Sequence, residues 1–384
     1  MRVATVFGTR PEAIKMAPVL AELARRKEIE ASFLAVTAQH RELLDQVLEI
    51  YGLHPDFDLD IMKRGQSLEH ITTAALEGLT GWFDALKPDV VLVHGDTTTT
   101  FTAALAAFYL GIKVGHVEAG LRTGNRFLPY PEEMNRRLAD ELASIFFAPT
   151  PLARNRLLER EIPQCDIFVT GNTVVDALLD IAERPCEFKD ARIVDFLSAG
   201  DARFRILFTM HRRESWGEPM RAVFQALRGF VETHPDVHIA YPVHPNPAVL
   251  EPAVEILGDN SRILLIDALG YVNFVHLMKR CDLVVSDSGG IQEEAPSFGK
   301  YTLVMREATE RPEVVDAGFA EIGCHTPAAL IAALERVVPL VRAGKVPEPG
   351  KRNPVGDGRA AIRVVDFLLF KYGLIDNPGG EFGV

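Results

Sequence analysis

The sequence predicts an α/β protein made of two doubly wound domains, each a parallel sheet covered by helices. Three observations lead there. Short β-branched runs alternate with helical periodicities along most of the 384 residues, the pattern of parallel strands joined by crossover helices. Several runs, such as Val90–Val93, are apolar on both faces, as strands covered on both sides must be. At roughly 100–200 residues per domain, the length accommodates two domains.

In chain order, strands are expected at Arg2–Phe7, Ser32–Thr37, Val90–His94, Lys113–Val117, Ile145–Ala148 and Ile167–Thr170. A second series is expected at Arg205–Thr209, His238–Val243, Ile263–Ile266, Leu283–Ser286, Thr302–Met305 and Phe319–Ile322. Helices fit at Pro11–Arg26, Arg41–Tyr51, Leu68–Leu86, Thr98–Leu110, Pro131–Ala143, Gly217–Thr233, Phe274–Arg280 and Ile291–Phe298, with a last one at Arg359–Lys371. The alternation pauses over Glu183–Arg203, so the junction is placed near Asn172–Asp176. This gives a first domain of residues 1–172, a second of 173–358, and a C-terminal helix and tail, 359–384, expected to pack back on the first.

Hydrophobic residues make up 47% and charged residues 24% of the chain, a globular composition. The net charge of −12 disfavours a nucleic-acid or anionic-membrane partner, which needs a broad basic surface. It leaves room for a small anionic ligand at a locally positive site. No apolar run is long enough to span a bilayer, and the N-terminal run reads as a first strand rather than a signal peptide. The four cysteines form no C-x-x-C pair, which suits reduced thiols in a cytoplasmic protein. No histidine spacing suggests a metal site.

In open parallel sheets, ligands bind beyond the carboxyl ends of strands, and the unusual residues follow strands here. Gly8-Thr9-Arg10-Pro11-Glu12 leaves the first strand into a helix. Its N–H groups and Arg10, with Lys15 about one turn on, suit an anion, although a plain β–α turn with solvated charges explains the same residues. It is not G-x-G-x-x-G, so no nicotinamide cofactor is indicated. His94-Gly95-Asp96-Thr97-Thr98-Thr99-Thr100 offers Asp96 as an acid or base, or simply as a helix cap. His116-Val117-Glu118 and the later Glu132 and Arg136 add two carboxylates and a cation. Glu132 and Arg136 also fit a helix-dipole contact and an i,i+4 pair. Close carboxylates take opposite protonation roles, so Asp96, Glu118 and Glu132 are candidates for proton transfer. In the second half, His211-Arg212-Arg213-Glu214 reads as an anion clamp or a solvated loop, and Tyr241-Pro242-Val243-His244 as a rigid loop. Asp287-Ser288-Gly289-Gly290 opening the helix with Gln292, Glu293 and Glu294 reads as a diphosphate cradle beside a ribose-binding carboxylate. Arg311, within Thr309-Glu310-Arg311-Pro312-Glu313, joins it.

Taken in order, these blocks resemble the non-hydrolysing UDP-N-acetylglucosamine 2-epimerase family over about Arg2 to Phe367. The resemblance implies a glycosyltransferase-B-like fold with two Rossmann-like domains facing a cleft. It implies reversible conversion of UDP-GlcNAc to UDP-ManNAc with no metal or other cofactor, through elimination of UDP to 2-acetamidoglucal and re-addition. It assigns Asp96, Glu118, Glu132 and His211 to catalysis. It assigns Arg10, Lys15, Arg136, Phe274, Ser288, Gly289, Gly290, Glu294 and Arg311 to the substrate, with Phe274 against the uracil. A cytoplasmic homodimer serving cell-surface polysaccharide synthesis is expected by the same likeness. Departures are Tyr301-Thr302 for Pro-Val, Val355 for tyrosine, and Leu269 for a polar residue near uracil. In some relatives substrate also activates at a second site near Gln39-His40-Arg41. Glu42 and Gly65 stand here for glutamine and arginine, and that change of charge weighs against such activation. A hydrolysing epimerase, a glycosyltransferase on the same fold and a catalytically silent sensor are the competing readings.

Overall fold

The doubly apolar runs form strands, and the periodic segments between them form helices. A computed structural model describes residues 1–38, 41–63, 65–198 and 203–383, without the side chains of Glu42, Leu43 and Glu214. Gln39 and His40, named above for a second substrate site, therefore lie outside the described residues, as does the side chain of Glu42. The chain divides into two compact units, Met1–Ala177 with Val355–Val384, and Leu178–Pro354. The crossing points lie a few residues from the boundaries expected at 172 and 358.

The first unit runs β1 (Arg2–Phe7), α1 (Arg10–Arg25), β2 (Ala31–Val36), α2 (Arg41–Tyr51), β3 (Phe57–Asp58), α3 (Leu68–Leu86), β4 (Val90–His94) and α4 (Thr98–Tyr109). It continues β5 (Lys113–Val117), α5 (Glu132–Leu142), β6 (Ile145–Ala148), α6 (Pro151–Leu158), β7 (Ile167–Val169) and into α7 (Thr173–Glu183), within which the chain passes to the second unit. Its strands form a seven-stranded parallel sheet in the order β3-β2-β1-β4-β5-β6-β7. The chain builds outward from β1 to one side and from β4 to the other. The carboxyl ends of β1 and β4 therefore flank a topological switch point, where neighbouring connections diverge and leave a crevice.

The second unit contains α8 (Ala191–Ser198), β8 (Phe204–Thr209), α9 (Glu218–Thr233), β9 (Val237–Val243), α10 (Pro247–Leu257), β10 (Ile263–Asp267), α11 (Tyr271–Arg280) and β11 (Leu283–Ser286). The short helix α12 (Gly289–Glu294), β12 (Tyr301–Val304), α13 (Pro312–Asp316), β13 (Ala320–Ile322) and α14 (Pro327–Arg342) complete it. Its six-stranded parallel sheet, β10-β9-β8-β11-β12-β13, has its switch point between β8 and β11.

Each unit has its own core. In the second, Phe208, Phe224 and Tyr241 interlock beneath the sheet, Phe208 meeting Tyr241 edge-on at 4.7 Å between ring centres. Fully burying such side chains contributes about 1.5–3 kcal/mol each. The final helix, α15 (Ala360–Lys371), returns to the first unit and packs on α1. There Phe367 stacks on Phe168 at 4.6 Å, and Arg26 bonds Asp366 at 2.6 Å. Asp176 of α7 accepts the N–H groups of Ala360 and Ala361, at 3.1 and 2.8 Å, and so caps the start of this helix.

Candidate active site

Several of the residues singled out from the sequence stand just after strands β1, β4, β5, β8 and β11. After β1 the chain turns at Gly8, where a Cβ would lie 2.2 Å from Thr37 Oγ1, so only glycine fits. Glu12, buried in the first turn of α1, holds this turn together. Its Oε2 accepts from the Gly8 and Thr9 N–H groups, at 3.0 and 2.9 Å, and from the Thr9 hydroxyl. Its Oε1 accepts from Thr97 at 2.7 Å and Thr100 at 3.0 Å. Burial pushes this carboxyl upward, and the hydrogen bonds oppose the shift. The threonine run after β4 thus has a reason that helix propensity does not give: two of its hydroxyls satisfy Glu12, and Thr99 bonds Thr37 at 2.8 Å. Sequence reasoning passed over Glu12, although the Thr9-x-x-Glu12 spacing of a capping box was there to find it.

At the end of β5, Glu118 has φ +66°, a left-handed conformation rare for a residue with a side chain. Its carboxylate is 7% exposed and lies between two bases and an amide. Lys15 Nζ donates to both oxygens at 2.7 and 3.0 Å, and Asn172 Nδ2 donates at 3.2 Å. His94 Nε2 sits 2.9 Å from Oε2, out of hydrogen-bond alignment. Burial raises this carboxyl, but Lys15 and His94 outweigh it and hold Glu118 well below the usual carboxylate range. Neither His94 nor Asn172 was singled out as a site residue; Asn172 read as a junction residue because its partner lies 54 positions away.

Asp96 pairs with Arg136 of α5, and Arg136 is also 3.5 Å from buried Glu133. Glu132 opens α5 one turn before Arg136. A Cβ on Gly95 would meet Glu118 Oε2 at 3.6 Å, so Glu118 lies against the peptide that precedes Asp96. Asp96, Glu118 and Glu132 are thus linked through neighbouring residues of one unit. Arg10, at the start of α1, is half-buried.

In the second unit the organising group is Asp287, buried after β11. Its Oδ2 accepts the His211 and Arg212 N–H groups, both at 2.8 Å, which ties the β8 loop to the β11 loop. His211 Nδ1 lies 3.2 Å from Oδ1, and the ring is stacked 6.1 Å from His244. Ser288 is the N-cap of α12, but its hydroxyl is not spent on capping. Glu294 accepts from the Tyr271 hydroxyl at 3.0 Å. Arg311 lies over Gly289 and bonds Glu293 at 2.8 Å as well as Glu310. Phe274 sits half-buried on α11. Arg41, beside the suggested second substrate site, is held by Asp58 at 2.7 Å through two nitrogens, and by Asp60.

Among the described residues, no cluster of three or more His, Cys, Asp or Glu side chains is placed to hold a metal ion, and no helix is long and apolar enough to cross a membrane.

Two doubly wound units, each with polar loops at its switch point, define a two-domain α/β enzyme of glycosyltransferase-B-like fold. The profile of the family described as UDP-N-acetylglucosamine 2-epimerase matches residues 21–369. The chain belongs to the UDP-N-acetylglucosamine 2-epimerase family, and its reaction class is therefore that of an isomerase. It is 48% identical over 373 residues to the UDP-N-acetylglucosamine 2-epimerase of Escherichia coli K12, covering 96% of this chain and 98% of that one. Two solved structures are also similar. The UDP-GlcNAc 2-epimerase of Neisseria meningitidis bound to UDP-GlcNAc has a TM-score of 0.86 and 44% identity, over 96% of this chain and 100% of that one. The S. aureus MnaA–UDP structure has a TM-score of 0.89 and 41% identity, over the whole of both chains. Acinetobacter baumannii MurG, 15% identical with a TM-score of 0.57, shares the fold alone.

Proposed function

We propose that the chain interconverts UDP-GlcNAc and UDP-ManNAc without hydrolysis, with proton transfer in the first unit and UDP anchored by the second. The observation that carries this reading is Glu118, an ionised carboxylate held in a strained backbone conformation between Lys15 and His94 at the first switch point. An ionised carboxylate can take the C2 proton as the C1–O bond breaks and UDP leaves with the bonding pair, giving 2-acetamidoglucal. Return of UDP oxygen to C1, with a proton delivered to C2 from the other face, gives the epimer. Two faces need two proton-transfer groups, and Asp96 and Glu132 are the other carboxylates of the same cluster.

Lys15 has a part in timing. The resemblance places it on the diphosphate, and its ammonium also donates to Glu118. A diphosphate drawing Lys15 away leaves Glu118 a stronger base once substrate is bound. Arg10, Arg136 and His211 offset the charge on departing UDP. Ser288, Gly289, Gly290 and Arg311 receive the phosphates, Glu294 accepts from the ribose hydroxyls, and Phe274 takes the uracil. Activity as a homodimer is part of this reading, supported by Phe108 and Tyr109, 57% and 64% exposed at the end of α4, a surface that a second copy would cover. So is a cytoplasmic setting, supported by four unpaired cysteines, and a role supplying cell-surface polysaccharide assembly.

The test is proton NMR of UDP-GlcNAc with the protein in deuterated water. Deuterium at C2 and a mixture of two UDP-sugars are expected. Accumulating free ManNAc would show the hydrolysing reaction instead, and no exchange at C2 would overturn the reading.

A further inference from the structure

His116 lies on β5, two residues before Glu118, with a fully buried side chain. Both ring nitrogens face oxygen. Nδ1 is 2.6 Å from Asp140 Oδ1 of α5, and Nε2 is 2.8 Å from the carbonyl of Gly95. A carbonyl oxygen only accepts, so Nε2 must carry a proton. Asp140 also pairs through Oδ2 with Arg122, which keeps it ionised and therefore an acceptor; its carboxyl lies below the usual range, because His116 and Arg122 outweigh its burial. Nδ1 must then carry a proton as well. Asp140 and Arg122 are the charged groups that face this ring from α5 and the loop after β5. Its in-register strand neighbours, Val93 on β4 and Phe146 on β6, are apolar.

The carbonyl of Gly95 belongs to the peptide whose nitrogen is that of Asp96, and planarity makes that peptide one rigid unit. The preceding peptide is held by the Gly95 N–H, which donates to Val117 O at 2.9 Å. Gly95 has φ +69°, so this turn is held by bonds rather than by a steric preference of its own.

We infer that His116 is a positioning residue, a buried imidazolium held between Asp140 and the Gly95 carbonyl that fixes the peptide from which Asp96 reaches the sugar. A neutral ring protonated only on Nδ1 would turn a lone pair toward the Gly95 carbonyl and push that peptide away. The inference rests on Asp96 being part of the reacting site; the protonation state itself does not.

The test has two arms. In the first, ring-15N-labelled histidine is read in the ligand-free protein, with His116 assigned by through-bond correlation. Two protonated nitrogens are expected, as the two oxygen partners of the ring require. A singly protonated His116 overturns the inference, whatever the protein's activity. In the second arm, Asp140→Asn removes the charge that keeps the ring protonated. Its UDP affinity should match the parent's. Its C2 exchange should acquire a new limb, falling as pH rises and the ring gives up its proton. A merely structural role gives a uniform loss with no new limb, and that outcome overturns positioning even where the first arm succeeds. Absence of C2 exchange in the parent protein would instead count against the epimerase reading and leave the first arm standing.

Discussion

The two switch points solve one problem with different materials. In the first unit, cations and carboxylates neutralise each other: Lys15 with Glu118, Arg136 with Asp96, Arg122 with Asp140. In the second, Arg311 is paired in the same way with Glu293 and Glu310, but the loops are set by buried Asp287, which accepts main-chain N–H groups, and the Ser288 hydroxyl, not spent on capping, and the glycines beside it suit a phosphate. Stored charge suits chemistry, because a small change of partner changes a carboxylate's basicity. Main-chain donors suit anchoring, because their direction is fixed by the backbone. The contrast predicts that substitutions of the first unit's carboxylates change rate at constant affinity, and those of the second unit's UDP-anchoring residues change affinity at constant rate.

The largest effect is expected from Glu118→Gln, which keeps the shape and removes the base. C2 exchange should fall by about 10²–10⁴-fold, with UDP affinity by calorimetry unchanged; full exchange in this variant would remove Glu118 from the mechanism. Next is Asp176, which caps α15 and whose carboxyl burial pushes up to about 6 from its ordinary 3.8. A raised carboxyl contributes stability below about pH 3.8 that is lost as pH rises through about 6. At neutral pH the ionised, largely buried group therefore opposes folding by at most about 3 kcal/mol. Asp176→Asn should raise denaturation stability at pH 8 by up to that amount, and the gain should vanish as pH falls toward 4. A gain independent of pH would mean that the capping amide, not the lost charge, is responsible.

Glu294→Ala should weaken UDP binding by about 10–100-fold, the worth of one or two charged hydrogen bonds, and leave the rate at saturating substrate intact. A slowed rate with normal affinity would break the division between the units. The smallest effect is expected from Thr97→Val, which removes one of several donors to Glu12. It should lower stability by about 1 kcal/mol while leaving UDP affinity unchanged.

Strand positions were legible from the sequence because runs such as Val90–Val93 are apolar on both faces. β3 escaped because it is two residues long, and α6 because it buries only Ala153 and Leu157, too thin a stripe to set a period. Thr150 and Pro151 did mark its start, as an N-cap and first-turn proline do. The candidate site was legible in part: its motifs follow strands, and parallel strands deliver such segments to one edge of a sheet. His94 and Asn172 escape a sequence reading as site residues because their partner Glu118 lies 24 and 54 positions away, and Glu12 because its spacing from Thr9 reads as local helix capping.

The sequence by itself determined that the chain alternates strand and helix twice over, and that glycines, carboxylates and cations stand after the strands, since periodicity and local turn chemistry need only near neighbours. Only the tertiary structure decided which charges meet: Lys15 with Glu118 across 103 positions, Glu12 with Thr97 across 85, and Asp176 with the start of α15 across 184. The physical reason is that a hydrogen bond or ion pair forms between groups within about 3 Å, and strand order, which no short window of residues encodes, sets those distances.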